Sequence, residues 1–125
     1  MVQNDRIESW RDLHVWRKAH AAVLENYRIT KSFPADERFR LTDQLCRAAA
    51  SIPTNIAEGK GRGSVAEFRQ FLVIARGSIE ETRYLLVLAR DLSLISTDVY
   101  ANLEASYTEI SKMTNALLRA LTPKA

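Results

Sequence analysis

The chain has 125 residues, of which 46% are hydrophobic and 26% charged, enough for one domain with a single core. Its 18 Lys and Arg residues against 15 Asp and Glu residues give a net charge of +3, which permits binding to polyanions without requiring it. No apolar run approaches the roughly 18 residues that span a bilayer, and no charged-then-apolar export signal opens the sequence. With a single cysteine, Cys46, these features argue against a membrane protein or a disulfide framework and predict a cytoplasmic protein.

Four helices are predicted, over about residues 10–31, 37–58, 64–92 and 97–121, with the ends 1–8 and 122–125 predicted to be disordered. Apolar side chains recur every three or four residues in each helix, which is typical of helices that bury one face. Pro34 ends the first helix, because a proline disfavours helical geometry in the residue before it. Pro53 lies inside the second, where we expect a kink and no break, and the glycine-rich segment 59–63 is predicted to end that helix as a glycine cap would.

Short connections separate these helices, and no alternating run of β-branched residues predicts a strand. Helices joined by loops of about five residues pack side by side in opposite directions. The predicted fold is therefore all-α, a single domain over residues 1–125 with an up-down-up-down antiparallel four-helix bundle.

The third helix carries an arginine every seven residues, at Arg69, Arg76, Arg83 and Arg90. Because a heptad drifts only about 20° around a helix, these side chains form one row about 31 Å long. Such a row could contact the phosphates of a nucleic acid, helped by Lys60 and Arg62 in the preceding loop. Two alternatives stay open: the row flanks a seam between subunits, or it is a solvated face on which Glu80 pairs with its arginine neighbours.

The same helix has more apolar surface than one core-facing stripe requires. Apolar residues on its outer side and at the edges of the stripe are Val73, Ile74, Tyr84, Val87 and Leu88. A helix that is apolar well beyond one stripe is buried on more than one side. The pattern predicts self-association into a homo-oligomer through these residues.

No residue pattern indicates catalysis, a metal site or a cofactor. The histidines, His14 and His20, lie six residues apart and so face different sides of the first helix, with His20 expected in the core. The glycine-rich loop at 59–63 follows a helix, whereas phosphate-binding loops of nucleotide enzymes follow a strand. We therefore expect a protein that is not an enzyme.

Three polar residues are predicted near the core, where they form a structural hydrogen-bond network or, alternatively, line a functional pocket: Asn55, Glu58 and Glu81. A carboxylate near the core is costly unless it is paired, and Arg47 or Arg62 are the candidate partners.

Four segments resemble a known bacterial family: residues 11–19 (RDLHVWRKA), 51–59 (SIPTNIAEG), 67–72 (EFxxFL) and 75–81 (ARGSIxE). They are similar to the four-helix-bundle proteins encoded in intervening sequences of 23S ribosomal RNA genes. The resemblance covers about residues 11–121 and implies a homopentameric barrel without catalytic residues. It also implies kinship with the accessory protein of diversity-generating retroelements, a pentamer that binds nucleic acid and a reverse transcriptase. The family often has a second acidic residue where this chain has Arg83, so the arginine row is more basic here.

Two functional hypotheses follow from the residues and the resemblance. The first is a self-assembling module that binds RNA or DNA through its phosphates, without strong sequence specificity. The second is a structural adaptor for a protein partner, such as a reverse transcriptase or another nucleic-acid-processing enzyme, with the arginine row at a subunit seam.

Overall fold

The computed structural model describes residues 9–123 and contains four long helices. They are α1 (His14–Thr30), α2 (Asp43–Gly61), α3 (Val65–Asp91) and α4 (Thr97–Leu121). A 3₁₀ turn precedes α1, and a 3₁₀ turn followed by a π-helical turn (Arg38–Thr42) leads into α2. No strand occurs between residues 9 and 123, so the predicted all-α fold with four helices is confirmed. The predicted disorder at 1–8 and 124–125 concerns residues outside this range.

The core lies where the four helices meet, α1 packing on α2 and α4, and α3 packing on the same two helices. The largest fully buried aliphatic side chains come from α2, α3 and α4: Leu45, Ile52, Ile56, Leu72, Ile79, Leu86 and Ile110. Each such side chain stabilises the fold by about 2 kcal/mol when it leaves water. In the described part of the chain, no helix is both long enough and apolar enough to cross a membrane.

The glycines near the end of α2 have two different roles. The helix ends at Gly61, inside the glycine-rich segment predicted to stop it, and Gly63 takes the left-handed conformation, with φ of +88°. Gly59 is buried, and a Cβ atom on it would lie 2.5 Å from the Cβ of Phe71. Its missing side chain therefore allows α2 and α3 to approach closely, which a helix-ending role would not explain.

The helix α2 is continuous through Pro53, as predicted; the kink stays a prediction. Proline withholds one backbone donor from the helix, and neighbouring side chains make additional bonds to the backbone. The Thr54 hydroxyl donates to the Ala50 carbonyl at 2.8 Å, and Asn55 Nδ2 donates to the Ser51 carbonyl at 2.7 Å.

The buried polar groups are not the predicted ones. Glu58 and Glu81 are exposed and Asn55 is half-buried, and no hydrogen bond joins these three among residues 9–123. Glu58 instead pairs on the surface with Arg62, one of its predicted partners, at 2.8 Å. At the surface both charged groups keep much of their hydration, so the pair avoids the desolvation cost of a buried carboxylate.

Asn26 and Tyr107 form a polar contact inside the core. Both residues are fully buried, and Asn26 Nδ2 donates to the Tyr107 hydroxyl and to the Ala22 carbonyl. Burial raises the pKa of Tyr107, although the hydrogen bond from Asn26 opposes that effect. This contact joins α1 to α4 inside the bundle, and the sequence analysis did not identify it.

Candidate nucleic-acid interface

The arginine row of α3 lies along the seam with α4 of the same chain. Arg69 Nη2 donates to Thr122 Oγ1 at 3.0 Å, Arg76 Nη1 to Asn115 Oδ1 at 3.3 Å, and Arg83 Nη2 to Glu104 Oε2 at 2.6 Å. The partners descend in number as the arginines ascend, so α3 and α4 run antiparallel. The heptad spacing predicted one row correctly, but each arginine meets a different chemical environment on α4.

Arg83 is the most strongly compensated member of the row. Its guanidinium lies 2.6 Å from Glu104 and 3.1 Å from Glu80, and its side chain is only 30% exposed. The hydrogen bond with Glu104 raises the pKa of Arg83 further. Two carboxylates thus cancel this charge, and the side chain fastens α3 to α4 with little left for an external anion.

Arg62 and Arg90 are also occupied by neighbours. Arg62 pairs with Glu58 at 2.8 Å and with Glu67 at 3.4 Å, joining the end of α2 to the start of α3. The hydrogen bond that Arg62 donates to the Glu58 carboxylate raises the pKa of Arg62. Arg90 contacts Asp91 at 3.0 Å, and its guanidinium lies 4.4 Å from the centre of the Tyr100 ring.

Lys60, predicted to lie in the loop, is in the last turn of α2. Its ammonium nitrogen lies 5.9 Å from the centre of the Phe68 ring, and the residue lines a groove at the start of α3. Arg69 and Arg76 line a different groove, between α3 and α4.

Arg69 and Arg76 differ from the others because their partners on α4 are neutral. Together with Arg119 they line a groove between α3 and α4. The other lining residues are Val73, Asn115, Leu118 and Thr122, so no carboxylate lines this groove. We name these seven residues the arginine groove. Three positive charges meet there without a counter-charge among the described lining residues.

Most of the hydrogen-bonding capacity of the arginine groove is unused. A guanidinium has five N–H donors, and Arg69 and Arg76 each donate one to α4. Arg69 Nε is buried and has no partner among the described residues. The other guanidinium donors of Arg69 and Arg76, which have no hydrogen-bond partner among residues 9–123, can bind an anion in the groove.

Arg119 is a residue of the groove that was not predicted from the sequence. It lies on α4 midway between Asn115 and Thr122, the partners of Arg76 and Arg69, and this antiparallel register brings it to the same groove. A signal was present, because Asn115, Arg119 and Thr122 have the spacing of one helix face. This spacing identifies the groove only when it is known which residues of α4 lie opposite α3.

The predicted self-association surface on α3 is only partly outward. Val73, Ile74 and Tyr84 are 45%, 51% and 61% exposed. Val87 is half-buried, and Leu88 packs against the core of its own chain. The outward part therefore narrows to three side chains, with Val73 at the rim of the arginine groove.

Chemistry-bearing residues elsewhere are dispersed. His20 is exposed and stacks on Trp16, with ring centres 5.1 Å apart, so the expectation that it lies in the core is wrong. Cys46 is buried, with Thr30 Oγ1 at 3.6 Å from its sulfur. Within residues 9–123, no three His, Cys, Asp or Glu side chains come together as a metal-binding group.

The chain resembles known proteins in both sequence and fold. A solved structure from Bacteroides thetaiotaomicron, described as a protein of unknown function from the S23 ribosomal protein family, shares 26% sequence identity and superposes with a TM-score of 0.78. The similarity covers 84% of this chain and 98% of that one. No curated protein matches significantly. The sequence profile described as "23S rRNA-intervening sequence protein" matches residues 11–116. The chain therefore belongs to the 23S rRNA-intervening sequence protein family.

Proposed function

We propose that the protein is a non-enzymatic nucleic-acid-binding module that holds the phosphate backbone of RNA or DNA in the arginine groove. The observation that carries this proposal is the meeting of Arg69, Arg76 and Arg119 in a groove lined by no carboxylate of the described chain. Family membership agrees with a role near ribosomal RNA but assigns no activity.

Guanidinium groups suit phosphate because their planar donors match two phosphate oxygens at once. Contacts of this kind position a nucleic acid without reading its bases, so binding is expected to show little sequence preference. Arg62 and Arg83 are removed from the proposed contacts because acidic neighbours already neutralise them.

Self-assembly is the second part of the proposal. The exposed side chains Val73, Ile74 and Tyr84 present apolar surface on the outer side of α3, beside the arginine groove. A homo-oligomer, pentameric as the family resemblance implies and built from up-down bundles, would place several arginine grooves on one particle. Linked weak sites bind a long polyanion more tightly than one site alone.

The test is binding of a fluorescently labelled oligonucleotide, measured by anisotropy across a salt series starting near 50 mM. Arg76→Gln combined with Arg119→Gln should weaken binding to all sequences alike, and the slope of log affinity against log salt should fall by about one for each lost contact. Both side chains are exposed, so the fold should persist.

The matched control is Arg17→Gln combined with Lys18→Gln on α1, which removes the same net charge from exposed ion pairs. This control should retain most of the affinity. Equal loss in both double variants would reduce the effect to net charge, and salt-independent binding by the natural chain would refute phosphate contacts.

A second candidate function is a structural adaptor for a protein partner such as a nucleic-acid-processing enzyme. The exposed apolar side chains of α3 favour it, because a partner could cover them as well as another copy could. Changing Tyr84 to Ser and Ile74 to Ser separates the two functions. If light scattering shows that the variant no longer forms the native oligomer, self-assembly through this face is supported. If the native mass is unchanged, the result favours contact between this face and a different protein.

A further inference from the structure

The π-helical turn before α2 carries an unusually exposed aromatic ring. Phe39 is 84% exposed, more than any other large hydrophobic residue between residues 9 and 123. Leu41, two residues later in the same turn, is buried and anchors the segment to the core. Turns of π-helix are rare and are frequently retained at functional sites. The arrangement holds Phe39 outward on an anchored backbone.

Two grooves meet at this ring, since Phe39, Asp43 and Arg47 line both. One of these grooves also contains Tyr27, which is 51% exposed and provides another aromatic ring. The other groove extends to Glu81 of α3. Aromatic surface is therefore available on the side of α1 and at the tip of the turn.

Cations surround the aromatic rings. The positively charged residues lining the two grooves are Lys31, Arg38, Arg40 and Arg47, against the carboxylates of Asp43 and Glu81. Arg47 lies 3.8 Å from Asp43, whereas the other three cations form no ion pair within residues 9–123. The Arg38 guanidinium lies 5.3 Å from the centre of the Phe39 ring. The surface thus combines exposed π-faces with uncompensated positive charge.

From this combination we infer that the Phe39 surface binds single-stranded nucleic acid, with bases stacking on Phe39 and Tyr27 and phosphates contacting Lys31, Arg38 and Arg40. Aromatic platforms flanked by cations are how proteins hold single strands without reading sequence, because every base has a π-face. In a duplex the bases are already stacked and paired, so Phe39 cannot reach them. The inference rests on the proposed function for the class of ligand but uses a different surface from the arginine groove.

The charge around Phe39 favours a polyanion over a second copy of the chain. If two Phe39 surfaces met, the like charges of Lys31, Arg38 and Arg40 would be brought together and would repel. A nucleic acid supplies base faces that stack on the exposed rings and negative charges that complement the three unpaired cations.

The experiment compares a labelled single-stranded oligonucleotide with a blunt duplex of the same length, by anisotropy near 50 mM salt. Phe39→Leu retains apolar bulk but removes the π-face, and we expect it to weaken single-strand binding about tenfold while duplex binding stays unchanged. Phe39→Trp should retain or strengthen single-strand binding. Leu24→Ala, a change at another exposed apolar residue on α1, should have no effect.

Three results would overturn the inference: unchanged single-strand affinity in Phe39→Leu, equal loss for single strand and duplex, or a changed native mass as the sole effect. The last would identify Phe39 as a contact between copies. The arginine-groove double variant separates the two proposals, because it should weaken single strand and duplex together. If it has no effect while Phe39→Leu does, the arginine groove fails and the Phe39 surface stands.

Discussion

At the scale of single residues, the nearest opposite charge decides whether an arginine of the row stabilises the fold or can bind a ligand. Its position in the row does not. Arg83 and Arg76 are one heptad apart, yet Arg83 contacts two carboxylates and Arg76 contacts a neutral amide. The same side chain therefore stabilises the fold at one position and remains available to a ligand at the other.

This difference predicts opposite costs for the same substitution. Arg83→Glu places a third carboxylate beside Glu80 and Glu104, and we expect it to lower the free energy of unfolding by about 2 kcal/mol. Arg76→Glu would face Asn115 and the cations Arg69 and Arg119 with no carboxylate nearby in the groove, and it should not lower stability. Urea unfolding followed by circular dichroism measures both, and equal losses would contradict the assignment of Arg83 to the α3–α4 seam.

Tyr107 predicts a loss of stability in alkali. Its pKa is raised by burial in the folded state, while the unfolded chain has the ordinary value near 10. The folded state therefore retains a proton that the unfolded state loses, so the contribution to stability is complete below pH 10 and declines as pH rises above it.

Comparison with Tyr107→Phe isolates this effect. The free energy of unfolding of the natural chain should fall more steeply above pH 10, by about 1.4 kcal/mol per pH unit. Lysines and exposed tyrosines titrate equally in both proteins. Parallel curves would mean that Tyr107 ionises as easily in the folded state as in the unfolded chain. At neutral pH the variant should be less stable by about 1 kcal/mol, because it loses the bond with Asn26.

At the scale of helices, the close approach of α2 and α3 depends on one missing side chain. Gly59→Ala should lower the free energy of unfolding by about 2 kcal/mol, because the added Cβ overlaps the Cβ of Phe71, on the rigid start of that side chain. Gly61→Ala, two residues along the same helix, meets nothing within 4 Å and should stabilise by up to about 1 kcal/mol. Thermal unfolding checks the pair, and a stable Gly59→Ala protein would show that the helices can separate.

At the scale of the whole molecule, the bundle places two basic surfaces on different helix pairs. The arginine groove lies between α3 and α4, and the Phe39 surface lies where α1 meets the start of α2 and the flank of α3. A strand of nucleic acid could engage both surfaces on neighbouring copies of an oligomer. The mass of the native assembly, with and without oligonucleotide, is the measurement that connects the two surfaces.

The sequence by itself determined the helical architecture and the family. Apolar spacing, Pro34 and the Ser64 cap are local signals, and local hydrogen bonding and steric restriction decide where helices form. The segments around residues 11–19 and 51–59 carry the family resemblance in the same local way. At the start of α3 the Ser64 hydroxyl caps the helix, accepting from the Glu67 amide at 3.1 Å.

Only the tertiary structure decided which charges are available. The row on α3 was visible from heptad spacing, but Glu104, Asn115 and Arg119 are brought beside it by the register of α4, which depends on side-chain packing far along the chain. Likewise, Phe39 and Leu41 are both apolar in the sequence, and only the π-turn makes one a surface ring and the other an anchor. Charge compensation and exposure are properties of neighbours in space, which periodicity along one helix does not contain.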